Sequence, residues 1–444
     1  MTSPDKLCKK LGELYVFYAK ADDRLGTLKG DPCDVSFWNA PDVRSDTKRF
    51  FRLATMWYPH LDNWSPGRTE ADGVDGRESM IQVFVADATE QGNPRPPLAA
   101  PLDYTKLFDT RHISDDGNDG SCWRATPPDG YVALGDVYVR QFDAKPSKDL
   151  IRCVREDLTA VAKIGDLLWA FPPSWGIPVP RVFPLVIPEQ KERNSIYIAP
   201  GSFFSIHDTA IGTEEKIKVA ANIPVARVLK LPTLVETLGA TPEPPPLTSR
   251  AMPVALTTPE TVERITYVPY AAVADPGRDL KSKLTSSQFY RIERRGLWRV
   301  AREKFVNNSS DSPMTINLQV ASGIAGSNSK TVTRKTSMEI SAESGVKIGP
   351  VSAKVSVKFG EEMGWEETQM SSWFKNETES IQYDVLPHHA ICPWVFVQRI
   401  YIVRDDGTLA DDVPIEIVES KIPTVTQYPL EPTNQVKVNF ATSS

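Results

Sequence analysis

The sequence contains few of the residues and motifs that mark enzymes and metalloproteins. Its five cysteines are odd in number and show no CxxC spacing, which argues against a disulfide framework and a zinc site. The five histidines form no HExxH motif, and Walker A, GxSxG and GxGxxG sequences are missing. No pair of carboxylates stands out for acid–base chemistry. We therefore expect no enzymatic activity, no metal ion and no cofactor.

Charge of one sign is not in large excess either. The chain has 51 Lys and Arg residues against 57 Asp and Glu residues, for a net charge of −6. Nucleic-acid-binding proteins carry clustered basic residues that contact phosphates, and no such cluster is found. Nucleic acid is therefore not an expected partner.

Long hydrophobic runs are also missing. The N-terminal stretch "MTSPDKLCKKLGELYVFYAKADD" lacks the apolar run of a signal peptide. No other stretch approaches the roughly 20 apolar residues of a membrane-spanning helix. We expect a protein that is made soluble, stays in the cytoplasm until release, and reaches a target-cell membrane only afterwards.

The sequence does contain many short apolar runs separated by turn residues. Examples are "LGELYVFYA", "MIQVFVADA" and "WVFVQRIYIV", and the chain has 37 prolines. Runs rich in Val, Ile, Tyr and Phe between Gly, Pro, Asn and Asp are typical of strands and turns. The sequence therefore predicts a mainly β protein.

A proline-rich stretch divides the chain. In "LGATPEPPPLTSRAMP", residues 238–253, the proline density favours an extended spacer over a central strand. We expect a β-rich receptor- or target-binding module at residues 1–237, a linker and connector at 238–284, and a second β domain with a C-terminal tail at 285–444. The first module contains a short repeat, "LGELYV" at residues 11–16 and "LGDVYV" at 134–139.

Residues 122–159, "CWRATPPDGYVALGDVYVRQFDAKPSKDLIRCVREDLT", contain a dense set of recognisable elements. They resemble the signature of the vacuolar protein sorting-associated protein 62 family, over roughly residues 8–235. The module is also similar to β-prism domains, which implies loops suited to glycan or lipid headgroups. Trp123, Tyr131 and Tyr138 have two readings, as core residues or as platforms for a sugar ring. The matching elements are Trp123-Arg124, Pro127-Pro128, Gly130-Tyr131, Leu134-Gly135-Asp136, Lys145-Pro146 and 152–158.

In the stretch "MEISAESGVKIGPVSAKVSVKF", residues 338–359, the large apolar residues fall at even positions before Gly349-Pro350 and at odd positions after it. A hairpin with that dipeptide at its tip has one apolar and one polar face. A turn at 343–345 is the alternative. Each arm meets the ~9–11 residues that cross hydrocarbon in a barrel. The predicted membrane-facing residues are Met338, Ile340, Ala342, Val346, Ile348, Val351, Ala353, Val355, Val357 and Phe359. The predicted lumen-facing residues are Lys335, Ser337, Glu339, Ser341, Glu343, Lys347, Ser352, Lys354, Ser356 and Lys358.

The segment before this hairpin, within residues 285–400, has Tyr290 and Trp298 on a strand, a polar turn at 307–310, an alternation over 314–320, and Gly323. It resembles aerolysin-type β-pore-forming toxins. The resemblance implies an elongated antiparallel β domain, an insecticidal or defence toxin, a surface receptor (glycan, lipid or protein), and a homo-oligomer that inserts a transmembrane β-barrel. The alternative is a non-lytic carbohydrate- or lipid-binding or trafficking-related β protein, in which the same hairpin packs its apolar face on a soluble core.

Overall fold

A computed structural model gives the fold. It describes residues 3–28, 30–32, 34–60, 81–111, 120–170, 180–189, 192–207, 225–324, 331–336, 338–341, 345–348, 355–359, 363–365, 373–374, 378–419, 423–430 and 439–440. The chain forms two compact units that are discontinuous in sequence. The first contains residues 1–234, 269–289 and 348–358, and the second contains residues 235–268, 290–347 and 359–444.

The first unit is a set of small antiparallel sheets. Short strands joined by turns build it, as the turn-rich sequence predicts. In the order in which neighbouring strands pair, one sheet contains Lys9–Leu11, Leu14–Lys20, Ile81–Asp87 and Phe51–Arg52, and a second contains Asp23–Leu28, Asp34–Asn39 and Met56–His60. A third contains Asp103–Asp109, Gly120–Thr126 and Val137–Arg140, and a fourth contains Tyr131–Val132, Cys153–Arg155 and Leu98–Ala99. The fifth contains Lys163–Ile164, Pro180–Val186, Trp169–Ala170 and Asp31–Pro32, with Phe203–His207 also paired to Pro180–Val186.

A further sheet of the first unit includes a strand from much later in the chain. Within this seven-stranded sheet, the strands assigned to the first unit lie in the order Thr159–Val161, Arg227–Pro232, Ser195–Ile198 and Val355–Lys358. These four strands are called the N-terminal sheet below. The helices assigned to the first unit are Pro4–Leu7 and Leu280–Ser286, and its 3₁₀ turns are Glu156–Leu158 and Tyr270–Ala272.

Aromatic side chains fill the core of the first unit. Phe37 and Tyr138 stack with ring centroids 4.3 Å apart, and Phe203 lies 4.9 Å from Phe37. A neighbouring cluster contains Phe183 and Phe204, stacked at 5.4 Å. Large rings bury much apolar surface for each residue that is ordered, so they stabilise small sheets effectively.

The second unit is organised around one long strand, Ala390–Val403. It pairs over ten residues with Phe289–Val300 and lies at the centre of the largest sheet. The order of that sheet is Val235–Thr237, Thr261–Pro269, Phe289–Val300, Ala390–Val403, Ile415–Val418 and Gly323–Ile324, with Val306–Asn307 and Thr424–Tyr428 also paired to Ala390–Val403. The other strands are Met314–Ala321, Thr378–Val385 and Asn439–Phe440; Thr331–Thr333, Met338–Ser341 and Gly345–Ile348. A 3₁₀ turn spans Arg302–Lys304.

The mainly β, antiparallel fold predicted from the sequence is confirmed, since every strand pair with a described register is antiparallel. Among the described residues, no helix is both long and apolar enough to cross a membrane.

The proline-rich segment is an extended strap on the second unit. Leu247 is buried in a cluster with Val300 and Trp394, and the indole N–H of Trp298 donates to the Pro242 carbonyl over 2.9 Å. The segment therefore has tertiary contacts, which its composition did not predict. Its second half, around Arg250, is exposed and carries no regular strand.

We expect brief trypsin treatment to cut first after Arg250. Exposed backbone without ladder hydrogen bonds is readily bound by a protease. The measurement is mass spectrometry of the earliest fragments, and Arg250→Gln should delay the first cut. A first cut within residues 1–230 would contradict the expected boundary.

Candidate functional site

The described apolar residues of the predicted hairpin are all buried. Met338 and Ile340 lie on the strand Met338–Ser341, and Val355, Val357 and Phe359 are fully inaccessible to solvent. Residues 342–344 and 349–354, which include the predicted tip Gly349-Pro350, lie outside the described residues. Ser337 is outside them as well, and the side chains of 341 and 345–348 are not described. All described residues of the predicted apolar face are thus buried.

The structure shows a hairpin that the sequence did not predict. Thr331–Thr333 pairs antiparallel with Met338–Ser341, and the Arg334 N–H donates to the Met338 carbonyl over 2.8 Å. Lys335, a predicted lumen residue, lies exposed in the turn between these strands. The guanidinium of Arg334 also donates to the Pro414 carbonyl over 3.0 Å. This hairpin is therefore attached to the second unit by a side chain.

The next strand, Gly345–Ile348, is the neighbour of Met338–Ser341 in the sheet. Only three residues separate them, which is too few for a parallel crossover, so the two strands run antiparallel. The alternative turn at 343–345 falls partly on residues 342–344, which lie outside the described residues, so it stays a prediction. A turn at Gly349-Pro350 stays a prediction.

The described part of the second arm of the predicted hairpin pairs with a strand from the N-terminal region. Val355–Lys358 pairs antiparallel with Ser195–Ile198, with Val357 opposite Ile196. Ser356, predicted to face a wet lumen, is only 6% exposed. Both faces of this strand are therefore covered, and the polar–apolar alternation does not correspond to an exposed–buried alternation here. Lys358 is partly exposed.

Residues 363–365, just after the predicted hairpin, are held by a buried arginine. One guanidinium nitrogen of Arg294 donates to the carbonyls of Met363 and Gly364 over 2.8 and 3.2 Å, and another lies 2.8 Å from a carboxylate oxygen of Glu263. Gly364 has φ +76°, and a Cβ there would lie 2.3 Å from Arg294. Burial lowers the pKa of Arg294, although Glu263 opposes this effect. The close approach of the guanidinium thus requires glycine.

A second buried network fixes Trp365, which is fully inaccessible. Its indole N–H donates to Gln398 over 3.2 Å, and the Gln398 amide donates to Glu419 over 3.1 Å. Trp373 packs edge-on against Trp365 at 6.3 Å. Burial raises the pKa of Glu419, and Arg294 only partly offsets this. Sequence reasoning missed these residues because none belongs to a motif, and only their spatial proximity reveals the cluster.

An ion-pair network also ties three strands of the large sheet together. Arg399 lies 3.0 Å from Glu416 and 2.7 Å from Glu260, and Arg299 approaches Glu416 to 2.5 Å. Burial alone would raise the pKa of Glu416, but hydrogen bonds from Arg299 and Arg399 outweigh it and lower the pKa below 4.5. The network has the character of a structural brace, since its charges are mutually paired.

Glu416→Gln is expected to lower the free energy of unfolding near neutral pH by about 1–3 kcal/mol. A carboxylate with a lowered folded-state pKa stabilises the protein above its unfolded pKa, and this contribution is lost as pH falls through the folded value. The variant should therefore show a smaller loss of stability between about pH 5 and pH 3 than the wild type. Urea titrations over that range measure both effects. The exposed Glu303→Gln is the matched control, and an equal slope in all three proteins would contradict the prediction.

In the first unit, the signature residues of segment 122–159 form structural ion pairs. Arg124 makes two hydrogen bonds of 2.8 and 2.9 Å with the fully buried carboxylate of Asp136. The same carboxylate accepts from the Ser205 N–H over 2.7 Å, and Arg124 donates to the Ser205 carbonyl. Burial raises the pKa of Asp136, opposed by Arg124. The preceding residue, Gly135, has φ +132°, and a Cβ there would lie 2.6 Å from Ser202, so the close approach of these two backbone segments requires glycine.

The acidic residue of the other repeat copy has an equivalent partner. Glu13 lies 2.5 Å from Arg155, which also pairs with Asp157 at 2.7 Å. Hydrogen bonds to Glu13 and Asp157 raise the pKa of Arg155. In each copy of the repeat, the acidic residue thus forms an ion pair with an arginine of the signature segment.

The aromatic residues of the signature segment are packing residues. Tyr138 and Trp123 are buried, and the Trp123 indole N–H donates to Ser121 over 2.7 Å. Tyr131 is partly buried, with its hydroxyl donating to the Pro96 carbonyl over 2.6 Å. Buried rings cannot stack on a sugar ring, so Trp123 and Tyr138 are not the platforms of a glycan site.

Catalytic and metal-binding chemistry finds no support among the described residues. No group of three or more His, Cys, Asp or Glu is placed there to hold a metal ion. His388 is exposed and lies 2.8 Å from Asp311, whereas the ring of its neighbour His389 contacts the Pro387 carbonyl. Burial raises the pKa of Cys153 to about 12, so that thiol is not an activated nucleophile.

Comparison with known proteins agrees with the N-terminal resemblance. A family model described as vacuolar protein sorting-associated protein 62 matches residues 74–233. No curated protein matches the chain. Among solved structures, it is similar to GNIP1Aa from Chromobacterium piscinae, with 17% identity over 48% of this chain and 37% of that one and a TM-score of 0.34. It is also similar to Cry35Ab1, with 11% identity over 95% and 91% of the two chains and a TM-score of 0.30.

The resemblance of the N-terminal half is thereby confirmed for residues 74–233. The chain spans little more than a third of the length of GNIP1Aa. TM-scores of this size do not establish a common fold.

Asp136→Asn is expected to destabilise the first unit by about 3–5 kcal/mol, because it leaves the Arg124 charge buried without its counter-ion. Chemical denaturation followed by far-UV circular dichroism measures the loss. Asp103→Asn is the matched control, since Asp103 and its partner Lys145 are both about half exposed. The control should unfold at nearly the wild-type denaturant concentration. Equal midpoints for both variants would show that the buried pair is not a structural requirement.

Proposed function

We propose that this protein is a water-soluble pore-forming toxin. Its N-terminal module recognises a target-cell surface, several copies assemble there, and each inserts residues 338–359 as an amphipathic β-hairpin of a transmembrane barrel. No catalytic step is needed, because the free energy comes from transferring apolar side chains from water into lipid.

One observation carries the proposal. Residues 338–359 alternate over a longer stretch than the ~5–6 residues of an ordinary strand, and the five described apolar members are all buried. A water-soluble precursor must cover a lipid-facing surface, since an exposed apolar patch of this length would promote aggregation. The apolar residues are buried in the water-soluble protein, and their regular spacing in the sequence would place them all on the lipid-facing side of a barrel strand. Both features fit a segment that is buried in protein before insertion and faces lipid after it.

The polar face supplies the second requirement of a barrel. Closing several hairpins pairs every backbone N–H and C=O within the membrane, so no edge is left in hydrocarbon. Serine, lysine and glutamate at the alternate positions then line a wet lumen. In the strand Val355–Lys358, the predicted lumen-facing residues Ser356 and Lys358 alternate with the predicted lipid-facing residues Val355 and Val357.

A second candidate function is a non-lytic binding or trafficking protein. The match of residues 74–233 to the vacuolar protein sorting-associated protein 62 family favours it. In that case residues 338–359 are an ordinary part of a soluble core. The two functions differ in one measurable respect, which is whether Val355 leaves its buried position for lipid.

The test uses a polarity-sensitive fluorophore on single cysteines at Val355→Cys and Ser356→Cys, in a background with the native cysteines replaced by alanine. Both positions start buried, at 0% and 6% exposure, so the two labels begin in similar surroundings. With phosphatidylcholine vesicles, we expect the label at 355 to shift towards the emission found in hydrocarbon and the label at 356 towards that found in water. Dye should leave the vesicles over the same period.

Val357→Cys is the matched control for a label that disturbs folding, because it lies on the same face as Val355 and should report the same change. Labels at 355 and 357 that stay unchanged while dye is retained would favour the non-lytic function. Identical shifts at 355 and 356 would exclude a two-faced hairpin.

A further inference from the structure

One strand of the N-terminal sheet comes from the predicted membrane hairpin. Ser195–Ile198, Arg227–Pro232 and Thr159–Val161 lie within the first 234 residues, whereas Val355–Lys358 follows more than 100 residues later. The sequence gives no hint of this pairing, because residues so far apart in the chain share no local pattern.

The pairing is continuous over four residues. Ser195, Ile196, Tyr197 and Ile198 lie opposite Lys358, Val357, Ser356 and Val355. At the end of the ladder the Asn194 N–H donates to the Lys358 carbonyl over 2.9 Å, and the Asn194 carbonyl accepts from the Thr233 N–H over 3.1 Å. Residue 194 thus connects the backbone of the late strand to the residue that directly follows the strand Arg227–Pro232.

Both faces of this strand pair are shielded from water. On one face Ile196, Ile198, Val355 and Val357 are fully inaccessible. On the other face Tyr197 and Ser356 are only 5% and 6% exposed. The side chains on both faces of this strand are buried, and its backbone is paired with Ser195–Ile198. Removing the strand therefore breaks side-chain packing and backbone hydrogen bonds at the same time.

We propose that Val355–Lys358 is an autoinhibitory strand, whose separation from Ser195–Ile198 must precede insertion of residues 338–359. This inference rests on the proposed function. In a closed barrel both edges of every strand pair with other strands of the barrel. Ser195–Ile198 occupies one of those edges here, so the two pairings exclude each other. Ser356 must also move from a buried position to a wet lumen.

Separation has a consequence for the strand that stays behind. Ser195–Ile198 would keep its pairing with Arg227–Pro232 on one edge and lose its partner on the other. Its amide hydrogens facing the vacated edge would then exchange with solvent. Residues 195–198 and 355–358 are therefore expected to lose protection from hydrogen exchange together, before dye is released.

The experiment locks the strand pair with a disulfide. Ser195→Cys and Lys358→Cys stand directly opposite each other, and opposite residues of an antiparallel pair have Cα separations within the range of a disulfide. The background again has alanine at the native cysteine positions. We expect the oxidised double variant to release dye from phosphatidylcholine vesicles at least about tenfold more slowly than the same protein after reduction.

The matched control places the disulfide on the other side of the same residue. Ser195→Cys with Pro232→Cys joins Ser195–Ile198 to Arg227–Pro232, since these two residues are also directly opposite. It constrains the same strand and leaves Val355–Lys358 free. Its release rate should be the same within about twofold before and after reduction. Because each variant is its own control on reduction, impaired folding cannot imitate the expected result.

Hydrogen exchange separates failure of this inference from failure of the proposed function. Joint deprotection of 195–198 and 355–358 on vesicles, without dye release, would support the autoinhibitory strand and contradict the pore. Undiminished release from the oxidised Ser195→Cys/Lys358→Cys protein would overturn the autoinhibitory strand and leave the pore intact. Full protection with no release from the reduced protein would overturn both.

Discussion

The constraint on which this structure depends is that a long alternating segment has one apolar face, and in water that face must be covered. Val355 and Val357 are fully buried on a strand that pairs with Ser195–Ile198. Met338 and Ile340 are buried on a strand that pairs with Thr331–Thr333. Each of these strands thus has a pairing partner outside residues 338–359.

The residues that follow this segment make several buried contacts. Residues 363–365 are held through their carbonyls by Arg294, which is itself paired with Glu263, and Trp365 is buried against Trp373. A buried charge with satisfied partners resists displacement, because removing any one partner leaves another without compensation. These contacts hold the chain a few residues beyond the C-terminal end of residues 338–359.

In the N-terminal module, ion pairs of the signature segment connect the strands. Its sheets are small, and two arginines of the signature segment bind the acidic residues of the two repeat copies, Arg124 with Asp136 and Arg155 with Glu13. These pairs give the acidic residues and arginines of the signature a structural role. Gly135 permits close backbone approach, Asp136 accepts three hydrogen bonds from Arg124 and Ser205, and Tyr138 fills the core.

The sequence by itself determined the β class, the repeat and the apolar parity of residues 338–359, because side chains alternate across a strand whatever its partners are. It also determined the N-terminal resemblance, since the signature residues are contiguous. Only the tertiary structure decided that Val355–Lys358 pairs with Ser195–Ile198, that Arg294 holds residues 363–364, and that Gly345–Ile348 lies beside Met338–Ser341. Strand partners and buried ion pairs join residues far apart in the chain, and their choice depends on packing that no local pattern encodes.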